Sequence, residues 1–445
     1  MNKELKNKFE NALFKVLSVP SVQGKATADA PFGEEVKKAL TLTLSIAEEL
    51  GFETKNYDNY VGEVIWGTGK PFGVLCHLDV VPAGNLSAWN TDPFTPTVKD
   101  GKLFCRGALD DKSAAISTLF AMYALKEEGY EPKRQIKLIL GCNEESGWGC
   151  IKHYNEVAVM PEEGISPDAD FPVIYAEKGI LHVKYAFKKL KQFAACGGTA
   201  ANVVCDYACV TAADLDKELA EKHGLKVIDG GNGANGYNCG NSGNGGCLDC
   251  EIKAESFGKA AHGSTPEKGL NALKALTAFL EEGGYIEKGV YDGMFGTRAG
   301  VENFEDETGK LTFSPDVLST DDTHVYYVTD IRYPSTVSRE TIEKSLAKIG
   351  DFEVLSYQAP LFNDKNGKLV TTLCKVWEKY SGKKEEPIAI GGGTYARALK
   401  CGVAFGPAIG EEADSIHQPN EFVTLSTLDI IFDVYKDALY ELCIK

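Results

Sequence analysis

At 445 residues the chain has room for two domains of ordinary size, or for one domain with a large insertion. Its composition, 43% hydrophobic and 25% charged, is that of a soluble globular protein, and a formal net charge of -17 argues against nucleic acid or an anionic membrane as a partner. No apolar run approaches the ~20 residues of a membrane span. The amphipathic start MNKELKNKFENALFKVL carries no signal-peptide core, so a cytoplasmic location is expected. The 13 cysteines are odd in number and mostly stand singly in apolar segments, which fits reduced buried thiols better than a disulfide framework.

Leu5, Phe9, Leu13, Val16 and Leu17 recur at helical spacing, and Pro20 closes the segment. A second helix is predicted from Glu34 to Leu50, stopped by Gly51. Val61–Trp66 and Phe72–Leu78 read as strands, and the second delivers His77 and Asp79. Asp110 and Asp111 open a helix to Glu128 with an apolar face of Ile116, Leu119, Phe120 and Tyr123. Gln135–Cys142 is a strand with a continuous apolar centre, as expected when both faces are covered, and it runs into Glu144 and Glu145. Pro172–Ala176 is a further short strand. This alternation predicts an α/β domain with a mostly parallel sheet and flanking helices.

After Gly179 the pattern changes. Leu181–Phe187 alternates apolar and polar residues, the sign of a half-exposed strand. Helices are predicted at 213–223, 268–282 and 336–349, and a strand at His324–Ile331 ends in Arg332-Tyr333-Pro334. The stretch GGNGANGYNCGNSGNGG, between Asp229 and Cys247, is too rich in Gly and Asn to offset its ordering entropy by burial, so a loop joining two strands is expected. The α/β pattern returns near Leu361, with a helix at 370–380, strands at 387–390 and 403–407, and a last helix from Leu425. The predicted organisation is a discontinuous α/β domain (1–178 and 359–445) interrupted by an inserted α+β lid (179–358).

His77, Asp79, Asp110, Glu144, Glu145, Asp168 and His417 are each expected just after a strand of the first domain. Parallel strands would bring these ends to one edge of the sheet, where open α/β sheets place their sites. Two histidines with several carboxylates suit zinc, manganese or cobalt. There are enough carboxylates for two ions about 3.5–4 Å apart. Adjacent glutamates repel and raise each other's pKa. One glutamate on metal and one acting as a base would resolve that conflict.

The segments HLDVVPAG, TDPFTPTVKDGKLFCRGALDDK, CNEESGWGC, SPDADFPVIYAEKG, GTAANVVCD, GKAAHGSTPEKGLNA, DIRYP and GGGTYAR resemble the M20 metallopeptidases. Within them the chain looks most like the PepV-like dipeptidases, the carnosinase-like Xaa-His dipeptidase group, and the resemblance covers nearly the whole chain in order. It implies a di-metal exopeptidase fold and two divalent ions per chain, zinc first, with manganese or cobalt as alternatives. One ion would take His77, Asp110 and Asp168. The other would take Asp110, Glu145 and His417, with Asp110 as the bridge. Asp79 would hold the His77 ring, and a cis peptide would fall at Asp110–Asp111. Glu144 would be the general base toward a metal-held water.

From the lid, His262 would stabilise the oxyanion and Asn202 and Arg332 would hold the substrate, Arg332 by its carboxylate. Gly392, Gly393, Thr394 and Arg397 match a loop lining the pocket. Lid closure would then assemble the site. The implied activity is hydrolysis of dipeptides or short peptides with a free amino terminus, by a monomer, with a dimer as the alternative. Ser113, Cys105 and Asp330 depart from the usual residues, none at a ligand position.

Two other readings compete. One is an acylamino-acid deacylase or carboxypeptidase of the same family. The other is a non-catalytic peptide-binding relative, which would be expected to have lost Glu144 or a ligand. His153, His182, His223 and His324 are expected at the surface or in packing, and Asp111 and Asp170 in support of the site. Cys247-x-x-Cys250, with Cys239, is a weak zinc or redox motif.

Overall fold

The continuous apolar runs become strands covered on both faces. In the computed structural model, which describes residues 1–228 and 252–445, Val61–Trp66 and Phe72–His77 are buried at every position. They belong to a sheet built from β1 (Glu53–Tyr57), β2 (Val61–Trp66), β3 (Phe72–His77), β4 (Ile136–Gly141), β5 (Glu163–Ser166), β6 (Val173–Glu177), β7 (Leu361–Phe362) and β8 (Cys401–Phe405). The main path through it is β1-β2-β4-β3-β5-β8-β6-β7.

Parallel pairing joins the four central strands, β4, β3, β5 and β8. β1 with β2, β2 with β4, and β8 with β6 are antiparallel. The hairpin joining β1 to β2 has a local cause. Asp58 and Asn59 both take positive φ, 53° and 59°, as a two-residue turn matched to strand twist requires. That Asp-Asn pair was the only signal for β1, which the hydrophobic pattern missed.

Six helices accompany this sheet: α1 (Lys3–Leu17), α2 (Glu34–Glu49), α3 (Lys112–Glu127), α4 (Gly149–Val157), α5 (Lys368–Ser381) and α6 (Leu425–Leu439). Helix α3 differs from its expected single apolar face. It packs against α1 and α6 and against β3 and β4, and 13 of its 16 residues are buried. Its small residues, Ala114, Ala115, Ser117, Thr118 and Ala121, let neighbours approach on all sides.

The chain divides into two units. One comprises Met1–Ala176, Leu361–Ile388 and Gly393–Lys445, and the other Glu177–Pro360 with Ala389–Gly392. The second unit holds an antiparallel sheet in the order Lys226–Ile228, Ile252–Phe257, Tyr207–Ala212, Ala194–Gly197, Thr312–Thr320, His324–Tyr333, Gly179–Lys188 and Phe352–Gln358. One face carries Leu181, Val183, Tyr185, Val210, Tyr327 and Ile331 into a core shared with Leu273, Leu276, Phe279 and Leu280 of the helix Ala272–Glu282.

The lid helices start later than hydrophobic spacing suggests, because polar caps decide the first turn. Asp216 caps Lys217–Lys222, Asn271 caps Ala272–Glu282 and Ser338 caps Arg339–Leu346. The Gly/Asn-rich stretch and the Cys239, Cys247 and Cys250 group lie outside the described residues. Among the described residues, nine cysteines are free thiols, seven of them buried.

Asp316 on lid strand Thr312–Thr320 gives this unit a pH signature. Burial pushes its carboxyl up to about 8, with the nearby Asp330 adding to the effect and the Ser314 hydroxyl and Arg332 opposing it. A raised folded-state pKa gives stability that is complete below the unfolded value near 4 and is lost as pH rises through about 8. We therefore expect Asp316→Asn to gain stability relative to the parent across that window. Denaturant midpoints at pH 4, 6 and 8.5 would show it, and a constant difference at all three would contradict it.

Candidate active site

Three segments with candidate ligands follow directly from neighbouring parallel strands. β3 ends at His77 and is followed by Asp79. β4 ends at Gly141, opposite His77 in register, and leads to Glu144 and Glu145. β5 ends at Ser166 and leads to Asp168. These residues therefore reach the carboxyl edge of the sheet as expected.

Asp110 and His417 do not follow strands, which corrects the expectation for both. Asp110 sits in the irregular loop before α3, and His417 follows the 3-10 turn Gly410–Ser415. The Asp110–Asp111 peptide is cis, as the resemblance implied. His417 and Trp148 each hold φ 61°, an unusual backbone state for such residues outside functional sites.

Asp110 lies between the two histidines, with one carboxylate oxygen toward each ring. His77 Nε2 is 2.9 Å from Oδ1, and His417 Nε2 is 3.0 Å from Oδ2. Asp168 Oδ1 is 3.7 Å from His77 Nε2, and Glu145 Oε2 is 3.2 Å from His417 Nε2. Two sets have donor atoms within 4.8 Å of one another: His77, Glu144 and Asp168, and His77, Asp110 and Glu145. Glu144 also accepts a hydrogen bond from Trp148 Nε1 at 3.1 Å.

Asp79 acts differently from the expected carboxylate-to-ring hold. Its backbone oxygen is 2.9 Å from His77 Nδ1, whereas its nearer carboxylate oxygen is 3.7 Å away. The carboxylate instead accepts the backbone N–H groups of Glu144 at 3.1 Å and Glu145 at 3.2 Å. Asp79 thus orients His77 with its main chain and fixes the Glu144–Glu145 turn with its side chain. Asp111 accepts the His77 backbone N–H at 3.0 Å, the supporting place expected for it.

The electrostatics call for positive charge. Burial pushes Glu144 well above the usual carboxylate range, with Asp168 adding to the effect. Burial and Asp110 push Glu145 up to about 7, and the same two causes push Asp168 up to about 6. Asp110 is held low despite burial, by the His417 and His77 rings that face its two oxygens. Burial opposes a charged His77 ring, yet Asp110 and Asp168 push it well above its ordinary value.

These observations also test whether divalent cations fit. With Nδ1–H donated to the Asp79 carbonyl, His77 Nε2 turns a lone pair toward carboxylates. His77 Nε2 and Asp110 Oδ1 are both buried and lack hydrogen-bond partners of acceptable geometry, although they are 2.9 Å apart. Two acceptors facing one another suit a shared cation. The mixed imidazole and carboxylate set fits zinc-like ions.

Sequence reasoning missed several residues here. Tyr395 is fully buried, meets the His77 ring edge-on at 6.1 Å, and bonds the Cys150 sulfur at 2.9 Å. Trp148 packs edge-on to Tyr395 at 5.1 Å. Glu421 is buried behind Asp110 and accepts its backbone N–H at 3.3 Å. Its place in HQPNE, four residues after His417, was the available signal.

Among the pocket-loop residues, Thr394 caps the turn Tyr395–Ala398 by accepting the Ala396 N–H at 3.2 Å. A Cβ at Gly393 would lie 2.7 Å from the Arg397 guanidinium carbon, so only glycine leaves that side chain its place. Gly392 belongs to the second unit.

Within the lid, an isolated bridge pairs Val203 with His262, and the Gly263 N–H donates to the Asn202 oxygen at 2.7 Å. Asn202 and His262 thus share one corner of the lid. His262 Nδ1 accepts the Ser264 N–H at 3.1 Å, which leaves the proton of a neutral ring on Nε2. Arg332 is buried, with Nε bonded to both Asp330 oxygens at 2.9 and 3.0 Å. His153, His223 and His182 make ordinary contacts with Asp58, Glu282 and Ser356, and His324 bonds Thr323.

A partly buried imidazole–carboxylate constellation at the open edge of an α/β sheet, with an inserted antiparallel domain, is the arrangement of a metal-dependent hydrolase. Residues 73–441 match the family described as Peptidase family M20/M25/M40. The chain is 34% identical over 453 residues to YtjP of Bacillus subtilis (strain 168), provisionally named a dipeptidase, covering 96% of this chain and 95% of that protein. It is 32% identical to the Beta-Ala-Xaa dipeptidase of Lactobacillus delbrueckii subsp. lactis, covering 94% of this chain and 92% of the relative. In fold it is similar to the aminoacylhistidine dipeptidase of Vibrio alginolyticus, with a TM-score of 0.59 at 16% identity, over 98% of this chain and 97% of that one. The chain belongs to the M20 family and is a metallopeptidase.

Proposed function

We propose that the chain is a dipeptidase that cleaves the peptide bond of dipeptides and short peptides with a free amino terminus, β-alanyl dipeptides included. The observation that carries this reading is Asp110 set between His77 and His417, one oxygen facing each ring. We assign His77, Asp110 and Asp168 to one divalent ion and Asp110, Glu145 and His417 to a second, with zinc first and manganese or cobalt as alternatives. Bound ions would supply Lewis-acid polarisation and a nucleophilic water at neutral pH.

The protein's own groups carry the other steps. Glu144, fixed by Trp148 and by the Asp79-anchored turn, accepts a proton from the attacking water and later passes it to the leaving amine. Asp79 keeps the His77 ring in its Nδ1–H form. His262 offers an Nε2–H to the developing oxyanion. Arg332 presents the side of its guanidinium not held by Asp330 to the substrate carboxylate, with Asn202 beside it. Gly392, Gly393, Thr394 and Arg397 line the pocket. The lid is taken as 179–358, inserted between 1–178 and 359–445, and the working form as a cytoplasmic monomer.

A panel of free dipeptides, including β-alanyl-histidine, assayed beside N-acetyl amino acids tests the substrate class. We expect the free dipeptides to be preferred. A clear preference for the acylated compounds would overturn the assignment.

A further inference from the structure

The bridge residue Asp110 poses a mechanical problem. His77 ends a β-strand and Asp168 and Glu145 follow others, but Asp110 and His417 stand on irregular loops far apart in sequence. The loop carrying Asp110 has few bonds of its own, one being the Ala108 N–H to the Cys105 oxygen at 3.1 Å. The Arg106 N–H donates to the Pro93 oxygen at 2.7 Å and the Ser113 hydroxyl to the Ala108 oxygen, but the amides of Gly107, Leu109 and Asp110 are held by one carboxylate. Glu421 Oε1 accepts the Leu109 N–H at 2.9 Å and the Asp110 N–H at 3.3 Å, and Oε2 accepts the Gly107 N–H at 3.1 Å and Arg106 Nη1 at 2.6 Å. The Glu421 backbone oxygen also accepts the Cys105 N–H at 3.2 Å. Glu421 is fully buried and follows His417 by four residues.

We propose that Glu421 is a positioning residue for the metal site: it locks the loop of the bridging Asp110 to the segment that carries His417. This rests on the two-ion reading above. A side chain that gathers three amides of one loop, those of Gly107, Leu109 and Asp110, sets where Asp110 starts, and therefore how its two oxygens divide between the two rings. The alternative is that Glu421 serves only to neutralise the buried Arg106.

Glutamine at this position keeps the shape but replaces one acceptor oxygen with a donor, which would oppose either the Leu109 and Asp110 amides or the Gly107 amide and the Arg106 guanidinium. Zinc affinity of the folded protein, measured by competition with a chromophoric chelator below the unfolding temperature, separates the two roles. We expect Glu421→Gln to weaken binding of both equivalents by about 10- to 100-fold, the usual cost of losing support behind a ligand. Arg106→Met, which removes the cation but leaves the three amides on Glu421, should stay below that ~10-fold mark.

Unchanged affinity in Glu421→Gln overturns the proposal. So does an equal loss in Arg106→Met, which would make charge neutralisation the role. If Glu421→Gln does not fold, Glu421→Asp, one methylene short of the amides, takes its place under the same threshold. Failure of the parent protein to bind two equivalents would instead refute the two-ion reading itself.

Discussion

Glu144→Gln will keep its metal and lose dipeptide hydrolysis by about 10²–10⁴-fold. Glutamine preserves the volume of the side chain, its backbone N–H can still reach Asp79, and its amide oxygen can still accept from Trp148. What it cannot do is take a proton from the attacking water. The comparison is informative because Glu144 shares a compact donor set with His77 and Asp168. A ligand and a base make opposite demands on this position. If zinc content falls together with activity, Glu144 is a ligand, and the base must be sought elsewhere. Metal analysis and turnover on the same preparation distinguish the two.

The second large effect is expected at Asp110. In Asp110→Asn one oxygen becomes an NH₂ group, so one of the two histidines faces a donor in place of an acceptor. We expect affinity for at least one equivalent of zinc to fall by more than the ~100-fold upper cost of losing mere support, and hydrolysis to fall to the background rate. Circular dichroism should show a folded protein, since the neighbouring amides remain held by Glu421. Retention of two tight equivalents would mean that Asp110 does not bridge.

How much of this was legible in the sequence depended on what held each residue. His77, Glu144, Glu145 and Asp168 sit at the ends of buried strands, so a hydrophobic run followed by charge identified them. Asp110 and His417 follow loops, so strand logic does not place them; the family resemblance singled them out, through the DDK segment and the late histidine. Glu421 was invisible because its partners are backbone amides more than 300 residues away, and a glutamate after Pro-Asn reads as an ordinary loop residue. Asp79 was identified, but its division of labour was not: which oxygen reaches the ring depends on a turn that residue types alone do not determine. The lid core followed from alternation along Leu181–Phe187. The helix starts there required cap geometry from Asp216, Asn271 and Ser338.

The central claim is that two divalent ions on this ligand set are required for peptide hydrolysis. Its most direct test is the metal content of the dialysed protein set against β-alanyl-histidine turnover, before and after chelation and after stepwise return of zinc. Two bound equivalents per chain, activity lost on removal, and recovery that is complete only at the second equivalent are the expected result. Full turnover in chelated protein with no bound metal would contradict it.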